Sequence, residues 1–319
     1  MCAPRFSRGV NAVVVDRSAP GGLTLRAVAE PTPLPSQALV RVAAISLNRG
    51  EVRRARAAED GWRPGWDIAG TVERAAADGS GPAAGTRVVA LMADSSGWAE
   101  KVAVPTENLA ALPDGVSFEE AATLPVAGLT ALYALEKRGS LLGRRVLITG
   151  ASGGVGIFAT QLARLGGAHV TALVHTASKR NAVVPFADAV VVGDTADVAK
   201  EHGPFDIVLE SVGGAVFSSA LALLQIDGTL VTFGTSAERT STIEVAPFYA
   251  EGGLSMYGFI LFHEIKHQPA GEGLARLVSL LAQKKLQTRI DEVVSFARIG
   301  EAADRLWNRG VTGKLVLTL

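Results

Sequence analysis

The stretch VLITGASGGVGIFATQLARLGGAHVTALVHTASKR, Val146–Arg180, sets a run of glycines between a short apolar segment and an amphipathic one. Val146–Thr149 reads as a strand, Val155–Leu165 as a helix and His169–Val174 as a second strand, the spacing of a βαβ unit with parallel strands. In such a unit the first N–H groups of the helix have no intrahelical acceptor, and the helix dipole places partial positive charge on them. A glycine-rich turn leading into that end lets backbone come close to a phosphate. Ser152, Gly153, Gly154, Val155 and Gly156 are therefore candidate pyrophosphate contacts. Measured against G-x-G-x-x-G, the hexapeptide Ala151–Gly156 has alanine at the first glycine, while Gly153 and Gly156 fill the second and third. Glycines that only make a tight turn would give the same local signal; the flanking strand, helix and strand favour dinucleotide binding.

Cofactor choice is written farther along, where an NAD site presents Asp or Glu to the ribose 2′-hydroxyl and an NADP site presents cations to a 2′-phosphate. Here the second strand runs into His175, Ser178, Lys179 and Arg180 with no acid among them. A carboxylate would repel the phosphate, whereas a hydroxyl and an arginine fork bind its oxygens by charge-assisted hydrogen bonds. NADP(H) is the expected cofactor, with these four residues at its phosphate end. A solvated helix start is the plainer reading of Ser-Lys-Arg.

Around this segment, 319 residues suffice for two domains. Hydrophobic residues make up 48% and charged residues 19%, and Lys+Arg and Asp+Glu both number 31. That balance fits a globular enzyme and argues against nucleic-acid binding through phosphate neutralisation. The single cysteine, Cys2, excludes an intrachain disulfide and a cysteine-built zinc site. No secretory pattern or membrane-length apolar run is visible, so a cytoplasmic protein is expected. Up to about Ala110 the segments are short, β-branched and broken by Gly or Pro, which predicts a small, mostly antiparallel β domain. From Phe118 onward helices and strands alternate, with strands at Ala189–Val192, Asp206–Leu209 and Thr229–Phe233 and a very apolar one at Gly252–Phe262. This is the pattern of an α/β parallel sheet. The closing Gly313–Leu319 reads as a strand that returns to the first domain.

The segments AISLNRGEV (Ala44–Val52), PGWDIAGTV (Pro64–Val72), AATLPVAGLTALYAL (Ala121–Leu135), DIVLESVGG (Asp206–Gly214), GTLVTFG (Gly228–Gly234) and GKLVL (Gly313–Leu317) join the glycine loop in order. With them the chain resembles the medium-chain dehydrogenase/reductase superfamily, in its zinc-independent quinone oxidoreductase and enone reductase branch. The resemblance implies a GroES-like β-rich catalytic domain, residues 1–118 with 264–319, and a doubly wound Rossmann domain, residues 119–263, with the cofactor in the cleft they form. Zinc-dependent relatives have a Cys and a Gly-His-Glu where this chain has Asn48 and Gly65-Trp66-Asp67, and neither Asn nor Trp suits zinc. No metal is expected. Among the five histidines, only His263 and His267 have helical spacing, and they lack the glutamate of a metal motif.

By the same resemblance Asn48 lies beside the nicotinamide and donates an amide hydrogen to a substrate carbonyl, Thr130 bonds the cofactor, and Asp67 orients the cleft. Val212, Gly213, Phe233, Gly234 and Thr235 match the backbone wall along the dinucleotide, and Phe259 and Lys314 approach nicotinamide or substrate. Plainer roles exist for each: a turn asparagine, a helix threonine, a turn carboxylate, a core phenylalanine, a solvated lysine. Arg49, Glu51, Arg53, Trp62 and Trp66 are expected to shape the substrate end. Relatives carry a tyrosine after the asparagine, but Arg49–Arg54 has none, leaving water or a ribose hydroxyl as the proton source. The expected reaction is metal-free hydride transfer from NADPH to a quinone or an α,β-unsaturated ketone. Reduction of another carbonyl, or a non-enzymatic NADPH-binding role, stands as the alternative. The apolar Gly252–Phe262 edge predicts a homodimer.

Overall fold

The β-branched segments before residue 112 pair as predicted in the computed structural model, which describes residues 9–250 and 252–319. Cys2 lies outside the described residues. In chain order the strands are β1 (Val10–Val15), β2 (Leu23–Val28), β3 (Gln37–Ser46), β4 (Asp67–Arg74), β5 (Arg87–Leu91), β6 (Lys101–Pro105), β7 (Leu109–Ala111), β8 (Arg145–Ile148), β9 (His169–Val174), β10 (Ala189–Val192), β11 (Phe205–Glu210), β12 (Leu224–Thr232), β13 (Ser255–Gly258), β14 (Ile290–Ser295) and β15 (Lys314–Thr318). Two compact units divide the chain: Met1–Leu129 with Gln268–Lys284 and Ile290–Leu319, and Thr130–His267 with Lys285–Arg289.

In the first unit β14-β15-β3-β4-β5-β7 form one sheet, with β6 also on β3 and β1-β2 as a separate pair. β3 is the hub, antiparallel to β4, β6 and β15. Its Ala38, Val40 and Val42, at the two-residue period of a strand, enter a core with Ile68, Val88, Trp98 and Leu317. The chain end does return here, since Leu317 lies opposite Ile45. This is the GroES-like domain. Two of its elements show no apolar period in the sequence. β14 buries only Val294, so it shows no alternation, and the helix Arg49–Ala57 buries only Glu51, Val52 and Ala55.

The second unit is a six-stranded sheet in the order β10-β9-β8-β11-β12-β13, parallel throughout. Counted from the glycine-turn strand this is 3-2-1-4-5-6, the doubly wound dinucleotide-binding order, which reverses between β8 and β11. β11 is buried at every residue and β8 at all but Arg145. A strand covered on both faces reads as an apolar run, as Val146–Ile148 of β8 and Ile207–Leu209 of β11 do. The long strand expected over Gly252–Phe262 is shorter: β13 ends at Gly258, where its register with β12 ends opposite Thr232, and a helical turn Leu261–Glu264 follows. Among the described residues no helix is long and apolar enough to cross a membrane.

Candidate active site

At the end of β8 the chain turns through Gly150–Gly153 into the helix Gly154–Leu165. Gly153 N–H closes the turn on the Gly150 carbonyl at 2.9 Å, and Ala151 N–H is held by the Leu173 carbonyl at 3.0 Å. The N–H groups of Ser152, Gly154, Val155 and Gly156 have no backbone acceptor among the described residues, and Gly153 supplies no side-chain cap. The helix N-terminus thus presents four free donors at the point where the strand order reverses.

The candidate 2′-phosphate end lies after β9. His175 Nδ1 pairs with Asp194 at 2.7 Å, both side chains mostly exposed, and the Thr176 and Ser178 hydroxyls are 3.1 Å apart. Lys179 is half-buried and Arg180 exposed; neither side chain has a hydrogen-bond or ion-pair partner among the described residues. Asp194 is the acid found here, and it is paired with His175.

Across the switch point, Glu210 ends β11 wholly buried. Its Oε1 accepts the N–H groups of Val212 at 2.6 Å and Gly213 at 2.9 Å. Burial pushes its carboxyl above the ordinary carboxylate range against these bonds. The Val212 carbonyl accepts from Ala237 and Glu238, so both backbone groups of Val212 are engaged and only its side chain is left for a ligand. Phe233 N–H is held by the Glu210 carbonyl, and Gly234 and the exposed Thr235 follow. Phe259 is buried and meets Phe233 edge to face at 6.5 Å. Glu210, which organises this wall, was not among the residues expected from sequence; its place two residues before Val212 in a buried strand is the signal.

In the first unit a buried polar cluster forms where β3 ends and β4 and β15 begin. Glu51, at the third position of the helix Arg49–Ala57, returns Oε1 to the Asn48 N–H at 2.7 Å, half of a capping box. The same oxygen accepts one Asn48 Nδ2 hydrogen at 3.0 Å, Asp67 Oδ2 accepts the other at 2.8 Å, and Asn48 Oδ1 accepts from Lys314 Nζ at 2.5 Å. Because lysine can only donate and carboxylates here accept, this amide orientation is the one chemically consistent choice. Lys314 gives its remaining protons to the Leu47 carbonyl at 2.9 Å and Asp67 Oδ2 at 3.1 Å. Asp67 Oδ1 accepts the Val126 N–H at 2.9 Å, and Glu51 Oε2 accepts the Trp66 N–H at 2.9 Å. Burial first, then the Asp67 charge, pushes the Glu51 carboxyl well above its ordinary range.

These bonds change several expected roles. Both amide hydrogens of Asn48 are taken by carboxylates, so none is free for a substrate oxyanion. Lys314, 3% exposed, keeps all its protons inside the first unit. Glu51 and Trp66 are buried rather than shaping a substrate end. Arg49 donates to the Leu306 and Trp307 carbonyls, while Arg53 is exposed and Trp62 is half-buried under Arg54. Thr130 lies in the second unit, buried on the helix Leu129–Glu136. Asn48 and Asp67 are thus brought together in one network.

Residues 34–114 match the alcohol dehydrogenase GroES-like domain and residues 154–278 the zinc-binding dehydrogenase family. A chloroplastic quinone-oxidoreductase homolog of Spinacia oleracea is 32% identical over 91% of this chain and 92% of its own length. The chain belongs to the medium-chain dehydrogenase/reductase superfamily, in its zinc-independent quinone-oxidoreductase branch. Within this superfamily, the quinone oxidoreductase of Thermus thermophilus, solved also with NADPH, is 30% identical with a TM-score of 0.80 over 97% of this chain and 100% of that one. The CurK enoyl reductase is 26% identical with a TM-score of 0.84, covering 98% of this chain and 99% of that one. The zinc implied by one matching family's description does not fit. Tetrahedral zinc takes thiolate, imidazole or carboxylate, and here an amide, an ammonium and a carboxylate already paired with that ammonium converge. Among the described residues no group of three or more His, Cys, Asp or Glu could hold a metal ion.

Proposed function

We propose that this chain is an NADPH-dependent reductase that delivers hydride, without a metal, to a quinone or to the β-carbon of an α,β-unsaturated ketone. The observation that carries this reading is the row of four free N–H groups at the switch point of the doubly wound sheet, a built site for a pyrophosphate. Lys179, Arg180 and Ser178 supply the positive charge and hydroxyl that a 2′-phosphate recruits. The N–H groups of Ser152, Gly154, Val155 and Gly156 hold the pyrophosphate, with Gly153 leaving room for its approach, and Val212, Phe233, Gly234 and Thr235 line the dinucleotide beside them. NADPH bound there supplies the hydride. The solved relatives described with NADPH or as enoyl reductases support the same choice of cofactor and reaction.

With no Lewis acid to hold an alkoxide, the acceptor itself has to carry the developing negative charge. A conjugated carbonyl does so as an enolate, which takes its proton from water, and a quinone does so through its ring. Asn48 and Asp67, whose polar atoms are engaged by each other, by Glu51 and by Lys314, are not proton donors. The exposed edge of β13, where Met256 is 43% exposed, supports pairing of two such edges in a homodimer. Reduction of a simple enone with NADPH deuterated at the transferring position tests the reaction: deuterium at the β-carbon of the product is expected, and deuterium at the carbonyl carbon would replace this reading with simple carbonyl reduction.

A further inference from the structure

Three strand ends converge on Lys314. β15 begins with it, β4 begins with Asp67, and the residues Leu47 and Asn48 leave β3. Antiparallel pairing brings these ends together, with Ser46 opposite both Asp67 and Val316. The ammonium sits among a carboxylate, an amide oxygen and a backbone carbonyl at 2.5–3.1 Å. Asp67 and Glu51 are wholly buried, and Ile45, Ile68 and Val316 beside them are fully buried as well. Two carboxyl groups in such surroundings require a cation close by, or one of them must stay protonated. The chain thus meets with its own side chain a need that other proteins meet with a bound ion.

We propose that the Lys314 ammonium takes the place of a metal ion in this chain, as the fixed cation that gathers Leu47, Asn48 and Asp67 into one cage, so that removing its side chain uncovers a divalent-cation site. The donors left behind are all oxygens, the set that suits a hard ion such as Mn²⁺ rather than zinc. The Leu47 and Asp67 oxygens, at 2.9 and 3.1 Å from Nζ, lie beyond metal–oxygen bonds of roughly 2.0–2.6 Å, while Asn48 Oδ1 at 2.5 Å falls within them, so small inward movements of two donors accompany binding. The space vacated by the lysine stem holds the waters that complete the shell. Lys314 is on this account a positioning residue: it fixes the Asn48 amide and the Asp67 carboxylate. The inference is independent of the NADPH reading, because it is tested without cofactor or substrate.

The test is titration of wild-type protein, Lys314→Ala and Asp67→Asn/Lys314→Ala with Mn²⁺, reading the free ion by its paramagnetic resonance signal and each protein by its melting temperature. Lys314→Ala is expected to melt roughly 10 °C below wild type, the loss that follows from stranding a buried charge. It is expected to bind Mn²⁺ with Kd on the order of 10⁻³ M or tighter, and to regain most of the lost melting temperature when saturated. Wild type and the double variant are expected to bind at least about tenfold more weakly, which is a gap of ~1.4 kcal/mol. A structural role alone would lower the melting temperature but would not create a metal site. Folded Lys314→Ala that takes up no Mn²⁺, or wild type that binds equally well, would overturn the proposal. Should Lys314→Ala not fold, Asp67→Asn/Lys314→Met, which removes both charges, is expected to fold and melt above any single Lys314 variant; a double variant as damaged as Lys314→Met would overturn it too.

Discussion

Gly153 and Gly156 belong to one turn but do different physical work, and alanine at each separates the two. At Gly156 a Cβ would lie 2.5 Å from the Gly150 oxygen, 2.6 Å from Ala151 Cα and 2.7 Å from the Ala151 oxygen. All three neighbours are backbone, so the turn itself must move. Overpacking of this kind costs about 1–3 kcal/mol, which lowers the melting temperature by roughly 2–10 °C. Gly153, with φ −82° and ψ 171°, is in extended backbone that alanine adopts freely, and its nearest neighbour is a single oxygen at 3.2 Å. Gly153→Ala is therefore expected to melt within about 2 °C of wild type. Its methyl group, however, stands on the exposed side of the turn next to the free Gly154 N–H, where it keeps the pyrophosphate at a distance. Loss of one or two charge-assisted hydrogen bonds, about 1.5–3 kcal/mol, weakens NADPH binding roughly 10- to 150-fold. Fluorescence titration with NADPH and calorimetric melting of both variants measure the pair. Gly153→Ala that binds NADPH as wild type does would refute the pyrophosphate assignment, and Gly156→Ala with an unchanged melting temperature would refute the packing argument.

Removing Lys179 and Arg180 together by alanine is expected to raise the Michaelis constant for NADPH about 10- to 150-fold while leaving NADH nearly unchanged; equal effects on both cofactors would show that these cations do not meet the 2′-phosphate. Glu51 has a raised folded pKa, so the folded protein retains a proton that the unfolded chain releases near 4.5, and stability attributable to it is full below that pH and falls as pH rises toward the folded value. Urea unfolding across this window should show the decline in wild type and not in Glu51→Gln, and parallel curves would contradict it. Met256→Lys on the outer edge of β13 is expected to shift a sedimenting dimer to monomer; a wild-type protein that is monomeric at micromolar concentration would dispose of the edge-pairing proposal.

Much of this was legible in the sequence, for definite reasons. Parallel strands such as β8 and β11, covered on both faces, leave apolar runs at Val146–Ile148 and Ile207–Leu209, and the glycine turn between β8 and its helix marks the ligand end. The same property misled over Gly252–Phe262, because an apolar run has no period to show where a strand stops and the helical turn at Leu261 begins. β14 buries too little to alternate. The helix Arg49–Ala57 is mostly arginine on its surface, yet Asn48 followed by Glu51 is a capping signature that points to it. Hidden most completely was the occupation of Asn48 and Lys314 by each other. That contact joins residues 48 and 314 through the β15-β3-β4 adjacency, which no local pattern encodes.

The measurement closest to the central claim is NADPH oxidation by chelator-treated protein, followed by the cofactor's near-ultraviolet absorbance, over quinones, short enones and 2-alkenals with NADH in parallel. Turnover of conjugated acceptors that is indifferent to the chelator and strongly favours NADPH is the predicted result. Activity that appears only when a metal is restored, or a preference for NADH, would contradict it.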